Sequence, residues 1–113
     1  MQIEFKQQDS VGIVQLIGDL NVVQVDPFRQ KFKDWFMANP STKNVVIDLK
    51  EVSMIDSAGL GVLIAILKQV RERGGDLKLA GMQKRVRLVF EITRTQRIFT
   101  ITETVKDSVR SFE

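Results

Sequence analysis

Apolar residues recur with two periods along this chain, and the switches between the periods mark its elements. Ile3 and Phe5 alternate with Glu4 and Lys6, which predicts a short strand with one exposed face. Val11, Ile13, Gln15 and Ile17 alternate with Gly12, Val14, Leu16 and Gly18. Both sets are largely apolar, so this strand is expected inside a sheet. Asp9-Ser10 between them supplies the turn of a hairpin, and Gly18-Asp19-Leu20-Asn21 closes the second strand. The period then becomes helical. Asp26-Pro27 reads as an N-cap followed by proline at the first helical position. Phe28, Phe32, Trp35 and Phe36 share one face, as expected of a helix pinned to a sheet, and Asn39-Pro40 stops it.

The longest patterned stretch follows, from Val45 to Leu67. Val45-Val46-Ile47 is a β-branched run interrupted by Asp48 and closed by Leu49. After a turn carrying Val52, Ser53, Met54 and Ile55, Leu60, Leu63, Ile64, Leu67 and Val70 form a helical apolar stripe. Gly74-Gly75 reads as its C-terminal stop. Opposite the stripe lie Gly61, Val62, Ala65, Lys68, Gln69 and Glu72. The first half of that face is small and apolar, as in a docking surface or a face covered by a neighbouring element. Leu77 and Leu79 predict a strand ended by Gly81. Val86, Val89, Phe90 and Thr93 mark a third helix, and Ile98, Phe99 and Ile101 a last strand. Thr102 is placed to cap a final helix that turns Val105, Val109 and Phe112 inward. The order ββαβαβαβα describes an α/β domain over residues 1–113, with a mixed sheet and about four helices.

Composition narrows the chemistry. The chain has no cysteine and no histidine, which removes thiol nucleophiles, Ser-His pairs and the common soft metal ligands. No apolar run reaches membrane-spanning length, the N-terminus lacks the form of a signal peptide, and a cytoplasmic location is expected. The net charge of +3 is modest. Lys84, Arg85, Arg87, Arg94 and Arg97 cluster late in the chain, but no aromatic single-strand motif accompanies them. A solvated or protein-facing patch is the expectation, without a nucleic-acid or membrane partner.

Three readings compete where the central strand hands over to its helix. Ala58-Gly59-Leu60-Gly61 lacks the Gly-Lys-Ser/Thr of a phosphate loop, and Ile64 stands where a dinucleotide fingerprint needs glycine. Asp48, Glu51 and Asp56 are close in sequence, but no cleft or acid-rich metal loop is evident for them, and structural roles are expected. No cofactor or metal is predicted. Ser57 is left with two roles: a helix cap, or a phosphoacceptor at a helix start that favours negative charge.

The segments Val45–Leu49 and Met54-Ile55-Asp56-Ser57-Ala58-Gly59-Leu60-Gly61 resemble the STAS family of anti-sigma factor antagonists and related transporter domains. Gly18-Asp19-Leu20-Asn21 is similar to that family's Gly-Glu-Leu-Asp turn, with Asn21 in place of the usual acid. Leu77–Gly81 and Ile98-Phe99 fit its order. The resemblance implies a regulatory binding module and not an enzyme. Ser57 would be phosphorylated by an anti-sigma factor with serine kinase activity, with Ser53 the runner-up. The unphosphorylated form would bind that partner and release a sigma factor, and a serine phosphatase would reset the cycle. The partner surface implied comprises Asp19, Asn21, Ser53, Met54, Asp56, Ala58, Gly59 and Gly61, extended by Val62 and Ala65 from the helix face. Two alternatives stand beside it: a STAS subunit of a larger assembly without phosphorylation, and a small enzyme or nucleotide binder.

Overall fold

A computed structural model describes residues 1–113. Five strands form one sheet in the order of the chain, β1 (Gln2–Gln8), β2 (Val11–Ile17), β3 (Asn44–Glu51), β4 (Leu77–Ala80) and β5 (Thr100–Thr102). Only the β1–β2 hairpin is antiparallel; the other pairings are parallel. Parallel neighbours require crossovers. These are supplied by α1 (Val25–Ala38), α2 (Ser57–Glu72) and α3 (Lys84–Thr93), and α4 (Val105–Arg110) closes the described chain. No helix is long and apolar enough to cross a membrane.

Alternation along the strands divides the molecule into two cores. Val14 and Leu16 of β2, Val45, Ile47 and Leu49 of β3, and Leu77 and Leu79 of β4 face α1, α2 and α3 in the larger one. Val11, Ile13, Val46 and Ala80 face the other way, towards Val109 of α4, with Val105 and Phe112 packed at its margin. Both faces of β2 and β3 are therefore occupied, which is why these strands read as nearly continuous apolar runs. The aromatic face of α1 seats as expected, with Phe28, Phe32 and Phe36 buried. Trp35 lies on Gly12, where a Cβ would come 2.3 Å from the indole.

Four local expectations need correction. Helix α1 starts after Gln24, not Asp26, because the Asn21 carbonyl accepts from the Gln24 and Val25 amides and turns the chain earlier. Pro27 sits within the first turn, where its missing N–H has no helical acceptor to lose. The last helix is capped by Thr104, whose hydroxyl accepts from the Asp107 amide, and not by Thr102. Ile98 precedes β5 and is exposed, while Phe99 alone of that pair enters the core. Helix α2 also buries a wider arc than one stripe, since Val62 and Ile66 join Leu60, Leu63, Leu67 and Val70 inside, whereas Ile64 is only partly covered.

Candidate functional site

The loops that follow β2 and β3 leave the same end of two parallel strands, and the backbone ties them together. The Gly18 amide donates to the Glu51 carbonyl, the Leu20 amide to Met54, and the Asp56 amide back to Leu20. Leu20 and Ile55 form an isolated bridge, and both are buried. Ser53 donates its hydroxyl to Asp19 at 2.7 Å. Val52 and Ile55 thus point into the core, while Ser53 and Met54 are left on the surface.

Asp56 then fixes the start of α2. Its backbone is extended, and one carboxylate oxygen accepts from the Gly59 amide at 2.9 Å. The other accepts from the Val22 amide at 3.0 Å, across 34 positions of sequence. One side chain therefore caps its own helix and anchors the neighbouring loop. Asn21 shapes that loop further, its side-chain oxygen accepting from the Val23 amide.

With Asp56 as the cap, the capping role considered for Ser57 is excluded. Ser57 is the first helical residue and is exposed, and its hydroxyl has no protein partner within hydrogen-bond distance. The amides of Ser57 and Ala58 have no backbone acceptor either. A free hydroxyl thus stands beside unpaired N–H groups at the positive end of a sixteen-residue helix. Around it Val22 is 66%, Val23 72% and Met54 48% exposed, an apolar rim on an otherwise polar loop cluster.

The residues expected on the surface differ in exposure. Asp19, Asn21, Ser53, Met54 and Asp56 lie on the two joined loops that lead into Ser57, and Ala58 follows it in the helix. Gly59 is not part of the surface: it is buried, and a Cβ there would lie 2.4 Å from the Leu20 carbonyl oxygen. Its lack of a side chain is what lets the two loops meet. Val62 also leaves the surface, being 3% exposed. Gly61 is exposed with nothing within 4 Å of an added Cβ, and Ala65 is partly covered. Val22 and Val23, exposed on the adjoining loop, lie outside the expected set. Two adjacent valines between Asn21 and the first helix carry no periodicity that would separate a loop from a strand.

A family model described as the STAS domain matches residues 2–108. The anti-sigma-B factor antagonist of Bacillus subtilis is 31% identical over 101 residues, covering 89% of this chain and 90% of its own. The crystal structure of the Thermotoga maritima protein TM1081 is 28% identical and superposes with a TM-score of 0.89, covering 96% of this chain and 92% of that one. The anti-sigma factor antagonist SpoIIAA in its unphosphorylated form shares the fold, with a TM-score of 0.82 at 16% identity over 98% of this chain and 96% of that one. A family match along nearly the whole chain, a relative above 30% identity and a shared five-stranded architecture lead to one conclusion: the chain belongs to the STAS domain family.

Proposed function

We propose that this protein is an anti-sigma factor antagonist whose unphosphorylated form binds an anti-sigma factor with serine kinase activity, so freeing a sigma factor, and that phosphorylation of Ser57 releases the partner. The observation that carries this reading is the division of labour at the start of α2. Asp56 performs the capping, and Ser57 is left with an exposed, unpartnered hydroxyl. The names of the relatives support the antagonist role, and one solved form of SpoIIAA is the phosphorylated one.

The switch follows from electrostatics. A phosphate adds about −1.5 to −2 charge and three acceptor oxygens. The unpaired amides of Ser57 and Ala58 offer it donors, so α2 needs no refolding to accept it. The new charge sits next to the Asp56 carboxylate and within the apolar rim of Val22, Val23 and Met54. A partner that buries this rim must then desolvate the phosphate or approach it with acidic groups, and either weakens the complex. A serine phosphatase would restore binding by removing the group.

The test of the acceptor is incubation with the cognate kinase and ATP, followed by peptide mass spectrometry. Phosphate is expected on Ser57, and a Ser57→Ala protein should stay unlabelled. Equal labelling of wild type and Ser57→Ala would overturn the assignment, and Ser53, held by Asp19, would be the next hydroxyl to examine.

A further inference from the structure

The sheet face that carries α4 is only half covered. Along it, cross-strand register places Glu4, Gln15, Asp48 and Ala80 in one row, and Lys6, Ile13, Val46 and Lys78 in the next. Helix α4 packs on β3, β4 and β5. On that side Lys78 is fully engaged: it donates to the Ser111 hydroxyl and lies 3.9 Å from the centre of the Phe112 ring. Towards the hairpin the same face opens into a groove of about 560 Å³ between the strands and the start of α4, lined by Glu4, Lys6, Gln15, Asp48, Lys50 and Lys106.

Asp48 forms part of this lining and is 7% exposed. One of its oxygens accepts from the Lys50 amide at 3.1 Å, and the other has no hydrogen-bond partner in the protein. Gly81 leaves room beside this bond, because a Cβ there would stand 3.3 Å from the bonded oxygen and 3.1 Å from Lys50 Cβ. The ion pairs of the molecule are Arg71–Asp76 and Arg87–Glu103. Hence Glu4, Asp48, Lys6, Lys50 and Lys106 converge on one groove without an ion pair among them, and Glu103, paired with Arg87, also lines it. The Ser57 site uses none of these groups.

We propose that this groove binds a small zwitterion of the free α-amino-acid class. A carboxylate with one oxygen held by the Lys50 amide and the other open to the groove gains a charge-assisted hydrogen bond from a compact cationic donor. The three lysines are flexible point charges able to meet a carboxylate without fixed geometry. A purely anionic ligand would place its charge against Asp48, Glu4 and Glu103, and a purely cationic one against the lysines. A molecule carrying both charges a few bonds apart satisfies both sets: its ammonium meets Asp48, and its carboxylate meets Lys50 and Lys106. Ile13 and Val105 are the apolar members of the lining, and no aromatic ring faces it, so nothing there would stack on a nucleobase.

The test is titration of the isotope-labelled protein with each free α-amino acid at millimolar concentration, read by amide NMR, with methylammonium and acetate as half-ligands. At least one amino acid should shift the amides of Gln15, Asp48, Lys50 and Gly81 saturably, and the half-ligands should bind about tenfold or more weakly. Asp48→Asn keeps the size and the bond to the Lys50 amide, and should weaken binding about tenfold. Should that variant fail to fold, Lys50→Gln and Lys106→Gln, both at exposed positions, should each weaken it several-fold. Absence of saturable shifts with every amino acid, shifts confined to other surfaces, or binding unchanged in the variants that fold would overturn the proposal.

Discussion

Two parallel strands hand over to helices at the same end of the sheet, and the two junctions are built differently. At β3–α2, Asp56 caps the helix through the Gly59 amide and holds the neighbouring loop through the Val22 amide. At β4–α3, Gln83 occupies the cap position without a side-chain cap; its amide group reaches back to the Lys50 carbonyl instead. Helix α2 begins with small, uncharged residues, Ser57, Ala58 and Gly59. Helix α3 begins with Lys84 and Arg85, whose charges oppose the helix dipole, and no hydroxyl lies between Met82 and Phe90. One junction is braced from two sides and presents an exposed, unpartnered hydroxyl; the other has neither feature. The proposed phosphorylation of Ser57 would place its charge on the braced junction, at a helix start with free amides.

Substitutions can break this contrast, beginning with those of largest effect. Val62→Glu buries an unpaired charge one turn beyond the junction and should cost about 3–5 kcal/mol, read as a collapsed urea midpoint. Ala65→Glu, at a partly covered position, should stay folded. Gly59 and Gly61 should separate just as sharply. Gly59→Ala drives a methyl into the Leu20 carbonyl and should cost about 1–3 kcal/mol. Gly61→Ala meets open space and should stabilise the helix by about 0.5–1 kcal/mol, while weakening any partner whose surface packs on that turn. Asp56→Ala removes the cap and the anchor of Val22, a loss of about 1–2 kcal/mol; Gln83→Ala should stay within about 0.5 kcal/mol of wild type. The smallest effect belongs to Ser57→Ala. Since Ser57 is not the cap, its melting curve should match wild type within about 0.5 kcal/mol, and a loss near that of Asp56→Ala would mean that the capping assignment is wrong.

Much of this architecture is written locally. The periods of β1 to β4, the aromatic face of α1 and the Gly74-Gly75 stop each follow from a few adjacent residues, and the structure places them as their patterns predict. What could not be read locally depends on contacts between distant segments. Asp56 and Ser57 are both good caps by residue type, and the choice is made by Val22, whose amide takes the second oxygen of Asp56. Gly59 looks like a member of a surface motif until the Leu20 carbonyl is seen against it. Val62 reads as outward-facing on a helical wheel with one apolar stripe. Helix α2, however, packs against both the sheet and α1, so its buried arc is wider than one stripe. The groove at Asp48 was equally invisible, since its lining comes from the hairpin, β3 and α4.

The central claim is that Ser57 carries a charge switch on a fixed scaffold. It is tested most directly by measuring the affinity of the kinase partner for the protein with phosphate on Ser57 and without it, alongside circular dichroism of both forms. The account predicts at least about a tenfold weaker complex for the phosphorylated form, with unchanged helical signal. Equal affinity of the two forms would contradict it, as would weaker binding accompanied by loss of helix, which would make the switch a conformational one.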